Sequence, residues 1–196
     1  HHEAEVTQME SVSGKKPFVK YWMHTGFLTV KGEKMSKSLG NFVTIREFLT
    51  KHPARLLRYF VLKTHYRSPI DYSEQLLEQA QNELDRIDEF VDRLSSFSES
   101  KTAERQSQAI KNQQKGFFEA MEDDFSTPLA VSELLSVVVP IGNALMDEKK
   151  LSNKDAKEIL NFLKEIDDFF GFIFWGKEKQ KIPEEIQKLA EQREQF

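Results

Sequence analysis

The stretch Gly32-Glu33-Lys34-Met35-Ser36-Lys37-Ser38-Leu39-Gly40-Asn41 concentrates more chemistry than any other part of the chain. Lys34 and Lys37 bring two ammonium groups, and Ser36 and Ser38 two hydroxyls, with Gly32 and Gly40 on either side to let the backbone bend. Such a loop can wrap a triphosphate: the lysines offset its charge, while hydroxyls and amide N–H groups bind its oxygens. Lysine suits the task because it is a mobile point charge that can follow a leaving pyrophosphate. On composition alone, a solvent-exposed basic turn is the commoner outcome for such a stretch.

The charge distribution agrees with phosphate chemistry near the start of the chain. The 196 residues carry a formal net charge of −4, but residues 1–72 hold 12 Lys+Arg against 6 Asp+Glu, and the rest is strongly acidic. A basic segment attracts nucleotides or nucleic acid backbone, and the acidic remainder repels them. Arg46, Arg55, Arg58, Lys63 and Arg67 continue the basic character. They read equally as the wet face of a helix or as phosphate contacts that position a nucleic acid without reading bases.

The elements that must position this loop fall into two regimes, divided near Asp71–Ser73. Phe18 to Trp22 is mostly aromatic and β-branched, and strand packing is the preferred reading for Trp22. Phe27 to Val30 alternates as a strand does, and Lys31-Gly32 closes it as a turn. Thr44 precedes a short helix that ends before Pro53. Leu56, Leu57, Phe60 and Val61 recur at helical spacing. After residue 73 the chain reads as consecutive helices. Ser73 caps a stripe of Leu76, Leu77, Ala80, Leu84, Ile87, Val91 and Leu94. Residues 95–108 read as a loop or frayed helix start, and a second helix includes Phe117, Phe118 and Met121. Thr127-Pro128 reads as a cap followed by proline at the first helical position. Pro140 should kink or end the next helix, Ser152 with Asp155 approximates a capping box, and Gly171 stops a helix. Phe117, Phe118, Phe125, Phe169, Phe170, Phe172 and Phe174 read as core anchors of a bundle.

Several classes are excluded by composition. Apolar residues at 39% exclude wholesale disorder, and the lack of cysteine excludes disulfide scaffolds and thiolate metal sites. No apolar run is expected to approach the roughly 20 residues of a membrane span. The first residues lack the basic start and apolar core of a signal peptide. The expectation is a soluble, cytoplasmic chain without a membrane partner.

Lys34-Met35-Ser36-Lys37-Ser38 spells KMSKS, the signature loop of class I aminoacyl-tRNA synthetases. With Tyr21-Trp22-Met23-His24-Thr25-Gly26, with His65 to Ser73, and with Phe118 to Pro128, the chain resembles cysteinyl-tRNA synthetase of bacterial type over nearly its whole length. The resemblance implies cysteine–tRNA ligation: ATP, as its Mg2+ complex, and L-cysteine give cysteinyl-adenylate, and the cysteinyl group passes to tRNA(Cys). It places Lys37 on the phosphates with Lys34 supporting it, Ser36 and Ser38 in the ATP site, and Met35 as a packing anchor. It implies tRNA contacts at Arg46, Arg55, Arg58 and Arg67, and a monomer. His1-His2-Glu3-Ala4-Glu5 is similar to the family's zinc-binding stretch, so His1 and Glu5 are its metal candidates, on one face if helical. The family's other two ligands are cysteines, which this chain lacks, so a complete zinc site is not expected. Two leading histidines also fit an exposed end or the scar of a tag.

The expected fold is mainly α. Residues 1–42 form the end of a Rossmann-like α/β nucleotide-binding domain with the KMSKS loop, and 43–72 a connector. Residues 73–182 form an antiparallel, DALR-like helical bundle, and 183–196 begin a C-terminal helix. No His-Ile-Gly-His-type nucleotide loop is present, so the chain is expected to be a partial enzyme, inactive alone. The alternatives are a non-catalytic tRNA- or partner-binding module, and a related ligase that joins cysteine to an amino sugar.

Overall fold

The structure, a computed structural model, describes residues 2–36, 41, 43–97 and 107–174, without the side chains of 107–111 and 113. Helix α1 (Glu3–Ser13) ends at Gly14, whose φ of 65° supplies the left-handed cap, and none of its residues is buried. Three short strands follow: β1 (Leu28–Val30), β2 (Glu33–Lys34) and β3 (Ile70–Tyr72), in the order β2-β1-β3. β1 and β2 pair antiparallel, with Thr29 opposite Lys34. Lys31 and Gly32 turn this hairpin with φ of 53° and 78°, the left-handed pair that a two-residue turn requires.

β1 and β3 pair in parallel, with Leu28 opposite Ile70 and Thr29 opposite Asp71. Parallel pairing demands a crossover, and α2 (Ile45–Lys51) and α3 (Ala54–Leu62) provide it. Thr44 and Glu47 form a reciprocal capping box at the start of α2: the Thr44 hydroxyl accepts from the Glu47 N–H at 3.0 Å, and Glu47 accepts from the Thr44 N–H at 2.9 Å. Phe48, Leu56, Tyr59 and Phe60 turn inward and join the crossover to the main core.

That core lies among α4 (Glu74–Ser95), α5 (Ser107–Glu122), α6 (Thr127–Glu133), α7 (Val139–Asp147) and α8 (Asn153–Phe170). Ser73 caps α4, and the expected stripe is buried except for Leu76, with Phe90 added to it. Ser152 caps α8 and also donates to Asp155 at 2.7 Å; Gly171 ends α8 at φ 61°. Tyr59, fully buried, donates to Glu83, which also accepts from Lys63 at 2.9 Å, so α3 and α4 are tied by a polar node. Burial raises the Glu83 pKa, but hydrogen bonds from Lys63, Tyr59 and Gln79 outweigh it and leave the carboxyl below its usual range.

Three expectations are corrected. Pro140 does not end its helix: Thr127–Asp147 runs on through α6, a π-helical turn at Leu134–Val138, and α7. The π turn shifts the hydrogen-bond register just ahead of Pro140, which then falls in the first turn of α7, where a missing N–H is tolerated. The same stretch is 21 residues long and holds an 18-residue window of mean hydropathy 1.7, long and apolar enough to cross a membrane, contrary to the sequence expectation. Its apolar side, including Ala130, Val131, Leu134, Val138 and Val139, is buried inside the bundle. Of the seven phenylalanines expected as core anchors, only Phe117 and Phe172 are buried, with Phe170 packed against the core. Phe118, Phe125, Phe169 and Phe174 are exposed, because helix ends and turns leave one side of a large ring uncovered.

Candidate functional site

The KMSKS loop springs from β2, and its described part is held by backbone and amide contacts. Lys34 ends β2, and the Met35 N–H reaches the Leu28 carbonyl at 3.4 Å. Asn41 bridges the base of the loop: its Oδ1 accepts from the Ser36 N–H at 2.9 Å and its Nδ2 donates to the Lys34 carbonyl at 3.4 Å. Lys37 and Ser38 lie outside the described residues. The Lys34 ammonium sits 5.3 Å from the centre of the Phe27 ring, a cation–π contact on an exposed face.

Asp71 fastens the hairpin from the neighbouring strand. Its Oδ1 accepts from the Gly32 N–H at 2.7 Å and from the Thr29 hydroxyl at 2.8 Å. The Gly32 N–H, then the Thr29 hydroxyl, holds this carboxyl below its usual range. Asn41 and Asp71 lie in stretches that stand out in the sequence, but no role is legible for either without the pairing of 29 with 71 and the closure of the loop.

Near the N-terminus, His2, Trp22 and His24 stack with nearly parallel rings. Centroids lie 5.4 Å apart for His2 and Trp22, 5.5 Å for His2 and His24, and 6.0 Å for Trp22 and His24. Trp22 therefore packs against histidine rings and lies in no strand; β1 already has β2 and β3 on its two edges. The i, i+2 spacing of Trp22 and His24, which puts both on one side of extended chain, was the available signal. Glu5 is exposed on α1, with Oε1 3.7 Å from His2 Nδ1. His1 lies outside the described residues. Among the described residues no group of three or more His, Asp or Glu side chains could hold a metal ion, and the chain has no cysteine. These residues do not fit a zinc site.

The basic residues divide by partner. Arg55 Nη2 donates to the buried Asp88 at 2.8 Å, and its guanidinium lies 5.7 Å from the Phe174 ring centre. Arg67 grips Asp124 through Nε at 2.8 Å and Nη2 at 3.2 Å. Lys63 pairs with Glu83 at 2.8 Å. Arg46 and Arg58 are exposed. Arg58 also lines an apolar groove of about 300 Å³ with Leu57, Val61, Leu62, Phe169 and Phe170.

Comparison with known proteins adds to this geometry. Residues 1–82 match the family described as tRNA synthetases class I (C) catalytic domain, and residues 116–174 match the DALR domain. The cysteine–tRNA ligase of Thermococcus gammatolerans is 40% identical over 199 residues, covering 96% of this chain and 42% of that protein. Those of Carboxydothermus hydrogenoformans and Bacillus licheniformis are 44% and 36% identical, covering 91% and 98% of this chain but 38% and 42% of theirs. The chain thus spans about two-fifths of the length of these relatives. The LeuRS of Agrobacterium radiobacter K84, solved as a ternary complex with tRNA and LeuAMS, matches with a TM-score of 0.65 over 86% of this chain and 24% of that one, at 20% identity, and so shares the fold. The small mixed sheet and the base of the lysine loop lie within the match to the class I tRNA synthetase catalytic domain, and residues 116–174 carry the DALR match. Within that class, the chain belongs to the cysteine-type family of synthetases.

Proposed function

We propose that the chain takes part in cysteine–tRNA ligation, in which ATP activates L-cysteine to cysteinyl-adenylate and the cysteinyl group passes to tRNA(Cys). The observation that carries this reading is the described base of the KMSKS loop. Asn41 and the β1–β2 hairpin hold Lys34, Met35 and Ser36 at one edge of the sheet, in a chain that continues into a DALR match. In this reading Lys37 stabilises the charge that develops on the phosphates and Lys34 supports it. Ser36 and Ser38 donate to phosphate oxygens, and Met35 anchors the loop by packing. Mg2+ travels on the nucleotide as part of the substrate. Fixed positive charge where negative charge develops lowers the barrier without reorganisation at the moment of reaction.

Residues 1–42 would supply the end of a Rossmann-like catalytic domain, 43–72 a stem-contact connector, 73–182 the bundle and 183–196 the start of a further helix. Arg46 and Arg58 are the strongest candidates for tRNA phosphate contacts, because Arg55 and Arg67 spend their guanidinium groups on Asp88 and Asp124. The chain would act as a monomer in the cytoplasm, in keeping with its lack of cysteine.

The test is cysteine-dependent exchange of labelled pyrophosphate into ATP. It is run on the chain alone and with the unmatched N-terminal portion of the Carboxydothermus hydrogenoformans relative added in trans. Exchange only on mixing, reduced about a hundredfold by Lys37→Ala, supports the reading. No exchange on mixing, with salt-dependent tRNA binding intact, overturns it in favour of a binding module.

A further inference from the structure

The residues from His65 to Tyr72 touch two parts of the molecule that are far apart in sequence. At one end Tyr66 and Arg67 reach the turn between α5 and α6. Asp124 accepts from the Tyr66 hydroxyl at 2.6 Å, from Arg67 Nε at 2.8 Å and from Arg67 Nη2 at 3.2 Å. His65 Nε2 lies 3.1 Å from the Asp124 carbonyl oxygen. Toward β1, the Tyr66 carbonyl accepts from the Gly26 N–H at 2.7 Å, and at the far end the Ile70 N–H reaches the Phe27 carbonyl at 2.9 Å and Asp71 holds Thr29 and Gly32. Both ends are therefore closed by hydrogen bonds, and the span between them is an eight-residue bar.

The Asp124 end is built at a conformational cost. Asp124 and Phe125 both lie in the left-handed region, at φ 51° and 53°. Aspartate tolerates that conformation, but phenylalanine rarely adopts it, and such residues persist only where surrounding contacts over-determine them. Here the contacts are the forked guanidinium, the phenol and the imidazole of one tripeptide. A planar fork on a carboxylate fixes direction as well as distance.

We propose that Asp124 is a positioning residue: through Arg67 and Tyr66 it sets the β1–β2 hairpin, and with it Lys34, at a fixed place relative to the DALR bundle. The consequence for ligation rests on the function proposed above; the mechanical coupling does not. The chain reaching from Asp124 to Lys34 is continuous: Asp124, Arg67 and Tyr66, then Gly26 and Asp71, then Gly32 and the hairpin. A lysine that must meet phosphate oxygens loses effectiveness when its base drifts by an ångström.

The absence of cysteine makes the coupling measurable in the chain itself. Exposed Glu33 on β2 and exposed Lys157 on α8 are replaced by cysteine, spin-labelled, and the inter-label distance distribution is read by pulsed EPR. Asp124→Asn keeps a residue that accepts positive φ while removing the charge. Tyr66→Phe/Arg67→Gln attacks the same contact without touching the turn. Both should widen the distribution about twofold relative to the parent, while Arg93→Gln, which breaks a bridge to Asp147 within the bundle, leaves it unchanged. Equal widths in all four proteins, with helical content intact, overturn the coupling. In the complemented exchange assay both latch variants should lower kcat about tenfold with little change in the KM for cysteine. Unchanged kcat in an active parent pair overturns the positioning role. Should the parent pair itself show no exchange, the ligase reading fails, and the EPR widths still decide the coupling.

Discussion

The Asp71 carboxylate lies 2.7 Å from the Gly32 amide, so a residue in the third strand fixes the turn that precedes the KMSKS loop. The two positions are brought together by the parallel pairing of β1 with β3, in which Thr29 stands opposite Asp71. Charge-assisted bonds from an N–H to a carboxylate are the stronger sort, and this one acts where the hairpin is only two residues wide at β2. Asp71→Asn should keep the strand pairing but loosen the turn. Amide exchange at Gly32 should speed several-fold while exchange in the centre of α4 stays as in the parent. Unaltered Gly32 exchange would show that the turn holds itself without Asp71.

Acid should open the Asp124 latch before it unfolds the bundle. Arg67 and Tyr66 hydrogen bonds hold the Asp124 carboxyl below its usual range, and the Arg67 charge acts in the same direction. A depressed native pKa stabilises the fold at pH values above the unfolded pKa, and the gain is lost as pH falls through the native value. The stability difference between the parent and Asp124→Asn should therefore be fully present at neutral pH and shrink below about pH 4. Urea midpoints of both proteins across that range measure it. A difference that stays constant to the acid limit would assign the effect of the substitution to the turn backbone and not to the charge.

Two glycines are required by close packing, one against backbone and one against a ring. A Cβ on Gly26 would overlap the Ser68 carbonyl, where the bar from His65 to Tyr72 crosses the entry to β1. A Cβ on Gly142 would meet the fully buried Phe90 ring at 2.5 Å, between α4 and α7. Alanine gains about 1 kcal/mol over glycine in a helix interior, but overpacking a filled core costs about 1–3 kcal/mol. Gly142→Ala should therefore lower the thermal midpoint, and Gly26→Ala should disturb the sheet while leaving the bundle transition nearly unchanged. Circular dichroism melts and amide exchange at β1 separate the two.

The helices and their ends were legible in the sequence because they depend on local chemistry. Ser73, Thr44, Ser152 and Gly171 do what their side chains and backbone freedom favour within a few residues. The stripe on α4 was legible for the same reason: one face of a long helix must be apolar when the other is charged. The base of the site was not: Asp71 acts across the chain, Asn41 across its own loop, and Asp124 across the chain again. Their partners lie 39, 5 and 57 residues away, and no periodicity marks them. Pro140 misled for a different reason. A proline reads as a break unless the hydrogen-bond register is shifted ahead of it, and a π turn leaves no sequence mark of its own.

The arginines of the crossover should separate binding from folding. Arg55 holds the buried Asp88 at 2.8 Å, with both side chains largely shielded from water. Removing one partner of such a pair leaves a charge in the core, at a cost of about 3 kcal/mol. Arg55→Ala should therefore destabilise the chain, and any loss of tRNA affinity should follow that loss of folding. Replacing both partners, Arg55→Leu/Asp88→Leu, should recover much of the stability. Arg46→Ala and Arg58→Ala remove exposed charges and should leave the thermal midpoint nearly unchanged. If these two meet tRNA phosphates, each should weaken tRNA binding for any sequence and lower the salt slope by about one. Filter binding across a salt series, together with thermal melts, gives both quantities. Weaker binding with an unchanged salt slope would move the phosphate contacts elsewhere on the basic segment. A full loss of affinity in the stable Arg55→Leu/Asp88→Leu protein would return Arg55 to the tRNA interface.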